Sequence, residues 1–288
     1  MTTKKKSGKA APKISPRAAL AKATNKKAPA AERINAFTQA PLAACESDEN
    51  LQKVLTVLRN KQEPVAVRLA ALQSLAAAAF SAIAFEPCRN DYIATLREIS
   101  QDDDPEIRER ALGLLMREQD GFAQKALLDG LKKPVKALVS PEKALQLLSY
   151  DVHAEAYAAA REIVSKPPNP DAKQEALRLL AADARSAPLF EQVLRDKDEL
   201  RENRQIAASA LSALDPEKFQ NSAREILLDR SEFEDIQATS LTALSHFADQ
   251  EELAKDKPLM KSIDRLSSKA KSAKYKRSAR QFLAKRDR

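Results

Sequence analysis

The sequence predicts an all-α protein, a right-handed α-solenoid of about seven to eight helix pairs. Three observations carry that expectation. Alanine and leucine dominate an apolar content of 43%, aromatic residues make up only 5%, and there is no Trp. Ala and Leu lead the helix-propensity scale, and here they alternate with Glu, Lys, Arg and Gln, which also favour helices. Only 4 of 288 residues are glycine, too few for a protein of hairpins and tight turns. The third observation is a recurring apolar motif.

Taking Ala111 as origin, "IRERALGLL" places Arg108 three residues before it, Leu112 one after and Leu115 four after. The same frame fits Arg68, Ala71, Leu72 and Leu75. It recurs at Ala144, Leu145 and Leu148, then with Lys173, Ala176, Leu177 and Leu180. Arg204, Ala207, Ala208 and Leu211 follow, then Ser240, Leu241 and Leu244, with weaker copies around Ala36 and Ala279. These origins lie 35, 40, 33, 32, 31, 33 and 39 residues apart. A large aliphatic stands thirteen residues before six of them: Leu58, Leu131, Ile163, Leu194, Leu227 and Leu266; Ile99 is off by one. Each repeat therefore reads as an outer helix ending near the aliphatic, a short turn, and an inner helix with an Ala-Leu-x-x-Leu face. The small residue lets neighbouring helices approach and the leucines fill the layer between them. One such hairpin cannot bury its own apolar face, whereas a stack can.

The turns carry their own signal. "DDDPEIRERALGLL" (102–115) could be a metal site, but Asp before Pro at the start of a helix is what capping requires. The carboxylates satisfy first-turn N–H groups and the helix dipole, and Pro105 fits where an N–H has no partner. With the similar turns "KQEPVAVRLAAL", "PPNPDAKQEAL" and "KDELRENRQIAASAL", this stretch resembles the turn and inner helix of a HEAT repeat, and the resemblance covers about residues 31–285. It implies an inter-repeat pairing role for Asp104 and Arg108. It specifies architecture rather than activity. Two enzyme families use HEAT-like solenoids, the alkyl-base DNA glycosylases and the phycobilin lyases. The first rely on tryptophan in a basic groove, which this chain lacks.

Charge divides the chain into a basic tail expected to be disordered (1–30, +9), a HEAT-like solenoid (31–258) and a basic C-terminal capping repeat (259–288); residues 255–288 carry +10 and the body between 31 and 254 carries −11. An acidic body argues against a groove that follows phosphates, while the basic ends leave nucleic-acid association as an alternative function. Cys45 and Cys88 lack C-x-x-C spacing and are expected to be reduced, incidental thiols of a cytoplasmic protein. The longest apolar run, "LAAAAFSAIAF" (75–85), is too short to span a bilayer, and no signal peptide is expected.

Catalytic constellations are scarce. His153 and His246 lie far apart, and no H-x-x-x-H, Gly-rich loop or G-x-S-x-G occurs. The sequence thus predicts a non-enzymatic scaffold without cofactor or metal, a monomer or partner-bound, binding a protein or peptide segment. On an inner helix, positions −1, +2 and +6 point away from the core. The +2 column includes Gln73, Gln146, Arg178, Ser209 and Thr242. The −1 column adds Arg110 and Lys143, and the +6 column Arg117, Tyr150 and His246. Gln73, Arg110, Arg117, Lys143, Gln146, Tyr150, Arg178 and His246 are the candidate partner-binding residues.

Overall fold

The computed structural model describes residues 15–39, 41–151, 154–247 and 250–286. It is an α-solenoid type of structure in which helix hairpins stack, with no strand among the described residues. It divides into two compact units, one ending at Leu127 and one beginning at Leu128.

The first unit contains α1 (Pro16–Thr24), α2 (Ala30–Gln39), α3 (Asp48–Arg59), α4 (Val65–Ala78), the short α5 (Ala82–Phe85), α6 (Arg89–Ile99) and α7 (Pro105–Arg117). The pairs α1/α2, α3/α4 and α6/α7 form hairpins. Inner helices α2, α4 and α7 stack on one another, as do outer helices α1, α3 and α6. Helix α8 (Gly121–Lys132) carries the division between units.

The second unit contains α9 (Pro141–Leu148), α10 (Ala154–Ser165), α11 (Pro170–Leu180), α12 (Ala187–Arg195), α13 (Arg201–Leu214) and α14 (Pro216–Leu228). It ends with α15 (Glu234–Phe247), α16 (Gln250–Lys255), α17 (Lys257–Lys269) and α18 (Ala273–Arg286). Here α10/α11, α12/α13, α14/α15 and α17/α18 are the hairpins, and α9, α11, α13, α15 and α18 form the inner layer.

All eight motif origins fall on inner helices, and every one is buried. Leu72, Leu112, Leu145, Leu177, Leu211 and Leu244 are at most 1% exposed, so the apolar frame is the core. The two long spacings have a local cause. Between Ala71 and Ala111 the chain inserts α5 and a 3-10 turn (Glu86–Cys88), and between Ser240 and Ala279 it inserts α16.

Two expectations are corrected. The N-terminal extension is ordered well before residue 30. Ser15 caps α1, whose Ala19, Leu20 and Ala23 are buried against the rest of the first unit, so an apolar face hidden among lysines supports a helix. Residues 1–14 lie outside the described residues. The cysteines are not separate thiols: Cys45, in a 3-10 turn (Pro41–Glu46), is disulfide-bonded to Cys88, with Cα atoms 5.9 Å apart. The stacking of adjacent repeats brings together two residues 43 apart in sequence, which spacing alone does not show.

Candidate functional site

The turns are built around buried ion pairs. Arg68 on α4 donates from Nε to the Leu58 carbonyl at 2.8 Å, closing the end of the outer helix onto the inner one. Its two Nη atoms reach forward to Asp102 of the next turn, at 2.5 and 3.3 Å. Arg204 does the same, from Nε to the Leu194 carbonyl (2.9 Å) and from both Nη atoms to Glu232 (2.9 and 2.5 Å). Arg33 joins the Ala23 carbonyl (2.9 Å) to Glu63 (2.6 Å), and Lys173 pairs with Glu199. Each cation stands three residues before its origin, and each acid eight or nine before the next.

Burial opposes ionisation of Asp102, Glu199 and Glu232, yet all three carboxyls sit below their ordinary values. Hydrogen bonds from Arg68, Lys173 and Arg204, and from nearby backbone N–H groups, outweigh the desolvation.

The three aspartates of the opening turn therefore have three separate tasks. Asp102 takes Arg68, Asp103 pairs with Lys61 at 2.6 Å, and Asp104 caps α7 by accepting from the N–H groups of Glu106 and Ile107 at 3.0 Å. Pro105 is the first residue of α7. Arg108 donates to the carbonyls of Asp102 (2.6 Å) and Asp103, within its own turn. The carboxylates of this turn that reach back to the preceding repeat are thus Asp102 and Asp103. No cluster of three His, Cys, Asp or Glu able to hold a metal occurs among the described residues.

A groove lies on the inner-helix surface of the second unit. It encloses about 390 Å³ between α13, α15 and the start of α18. Its described walls are Gln205, Ser209, Ser212, Asp235, Ala238, Thr239, Thr242, Ala243, His246, Ser272 and Ser278, with no Lys or Arg among these described residues. Ser209, Thr239, Thr242, His246 and Ser278 stand at the outward −1, +2 and +6 positions of the repeat frame. Ser212, Thr239 and Thr242 donate their hydroxyl protons to carbonyls of their own helices: Ser209, Asp235 and Ala238 respectively, at 2.8, 3.0 and 2.9 Å. Their oxygens retain lone pairs to accept from a ligand. The Asp235 carboxylate lies within 3.5 Å of Gln205 Nε2 and 3.9 Å of Arg201, whose guanidinium stacks on Phe233.

Of the eight residues singled out from sequence, His246 lines this groove and is exposed. In the first unit, Gln73 (α4) and Arg110 and Arg117 (α7) are exposed. In the second, Gln146 and Tyr150 are exposed, Lys143 is half-buried, and Arg178 pairs with Glu175 on its own helix. These residues do not line the groove. Among the described residues the lining is rich in hydroxyls, a feature that the Ser209 and Thr242 column signalled. His153 lies outside the described residues. No described helix is long and apolar enough to cross a membrane.

No protein-family model matches the chain, and no curated protein sequence matches it. Solved structures with a related course include the CpcE–CpcF complex of phycocyanin lyase from Nostoc sp. PCC7120. It is 15% identical with a TM-score of 0.42, over 92% of this chain and 98% of that one. Another is human deoxyhypusine hydroxylase in complex with glycerol, 15% identical with a TM-score of 0.36, over 86% of this chain and 99% of that one. Both are named for enzymes, so the expectation that the chain is not an enzyme, drawn from missing motifs, is withdrawn: a helical repeat fold without those motifs is no ground for it. Similarity at this level transfers neither activity to it.

Proposed function

We propose that the chain is a polypeptide-binding repeat protein whose second unit takes an extended segment in the α13/α15/α18 groove. The observation that carries this reading is the chemistry of the lining. Hydroxyls whose protons are already engaged present acceptors, and Asp235 adds a negative charge. A segment that offers backbone N–H groups and a Lys or Arg side chain complements that surface. The described lining carries a carboxylate and no Lys or Arg, which favours a cationic segment over a phosphate-bearing one.

Selection from a random peptide library on the full-length protein, followed by fluorescence titration, tests the proposal. Enriched peptides should be basic and donor-rich. The variant Ser209→Arg/Thr242→Arg, which fills the groove with bulk and positive charge, should weaken their binding at least tenfold while its helical signal and melting temperature stay near the parent's. Equal binding by that variant, or selection of acidic peptides, would refute the assignment.

A further inference from the structure

The insertion that lengthens the first unit also exposes the largest apolar side chains there. Phe80 is 91% and Ile83 94% exposed, whereas no other Phe or Ile with a described side chain is more than 40% exposed. They stand on a knob at the end of α4 and in α5, and the knob is held rather than loose. Phe85 is buried edge-on to Tyr92 with ring centroids 5.3 Å apart, and Cys88 is disulfide-bonded to Cys45. Leu42, in the 3-10 turn that meets α5, adds a third exposed apolar side chain. The rim is acidic. Glu86 follows Ile83 by three residues, one helical turn on, and is 74% exposed, while exposed Glu46 adjoins Cys45. A preorganised apolar knob with carboxylates beside it fits an apolar surface with cations beside it.

The chain itself carries such a surface. Helix α18 buries Tyr275, Ala279 and Phe282 against the preceding inner and outer helices. On its opposite face Ala273, Arg277, Arg280, Gln281 and Ala284 are exposed. There Ala273, Lys276, Arg277, Arg280, Gln281 and Ala284 line an open depression of about 520 Å³. Alanines and the aliphatic stems of the long side chains make its floor, and three cations make its rim.

We infer that the Phe80–Ile83 knob of one copy docks on the exposed α18 face of a second copy, joining molecules head to tail. The two patches differ, so the contact is heterologous and leaves a free knob and a free face at the ends of every assembly, which grows unless it closes into a ring. Its small apolar area places it among weak, transient interfaces, well below the roughly 1,600 Å² of a standard complex. Its charge pairs make it sensitive to salt.

Sedimentation velocity over a concentration series of the full-length protein, with two complementary variants, tests this. The parent should show an average mass that rises with concentration and falls with added salt. Phe80→Glu/Ile83→Glu alone and Arg277→Glu/Arg280→Glu alone should each remain monomeric. Mixed, they should form a 1:1 dimer and nothing larger, because only one knob and one face survive; that recovery also shows that both variants are folded. A parent that stays monomeric up to the highest concentration overturns the inference. So does a mixture that stays monomeric, and so does an α18 variant that associates as the parent does, which would indicate knob-to-knob pairing.

Discussion

Arg68 and Asp102 form a fork-to-fork ion pair between consecutive repeats, with side chains only 2% and 4% exposed. The same guanidinium holds the Leu58 carbonyl, so one side chain joins an outer helix, an inner helix and the next turn. Removing one partner leaves a buried charge without compensation. Arg68→Ala is therefore expected to destabilise the first unit by about 3–5 kcal/mol, and Arg68→Met with Asp102→Leu by much less. Urea unfolding followed by circular dichroism checks the order; a double variant no better than the single one would contradict it.

The three aspartates of one turn should separate by task. Asp102→Ala should be the most damaging. Asp104→Ala should cost about 1 kcal/mol, the usual loss for an N-cap. Asp103→Ala should be silent, because its pair with Lys61 is 85% exposed on the carboxylate side. Equal effects in the same unfolding assay would reject this division.

Calcium or magnesium at millimolar concentration should leave the melting temperature where ionic strength alone puts it. The carboxylates at 102–104 diverge toward Arg68, Lys61 and the α7 N-terminus instead of converging. A saturable rise with metal, the mark of a ligand that binds the native state, would show that they can regroup.

Acid should weaken the stack through its turns. The carboxyls of Asp102, Glu199 and Glu232 have folded values below their ordinary 3.8, 4.5 and 4.5. The stability that they contribute is therefore present above those ordinary values and is lost as pH falls through the lowered folded ones. Melting temperature should change little from pH 7 to about 5 and fall steeply below about 4. The variant Asp102→Asn/Glu199→Gln/Glu232→Gln should start lower and show a shallower fall. An unchanged slope would remove these carboxyls from the explanation.

Much of the fold was legible because small-residue spacing and helical period are properties of local sequence. Ala71, Ala111, Ala176 and Ala207 mark inner helices, and Leu58 and Leu194 mark outer-helix ends, as the frame requires. The acids that cross between repeats were visible too. Glu63, Asp102, Glu199 and Glu232 recur eight or nine residues before an origin, but the prominence of Asp104 beside Pro105 drew attention to the cap instead. The Cys45–Cys88 bond was not legible, since it depends on which turn lies over which. At the groove, outward positions followed from the helix period, so His246, Ser209 and Thr242 could be placed on its wall. Which of the outward residues line one cavity depends on the packing of α18 beside α15, and the weak motif around Ala279 carried little of that.

The central claim is that a polypeptide lies along the inner helices of the second unit, and amide chemical-shift mapping with a selected basic peptide tests it most directly. The account predicts saturable shifts concentrated in α13, α15 and the first turn of α18, around Ser209, Asp235, Thr242, His246 and Ser272, with α12 and α14 unmoved. Shifts centred on the outer helices or on the first unit, with the groove residues silent, would contradict it.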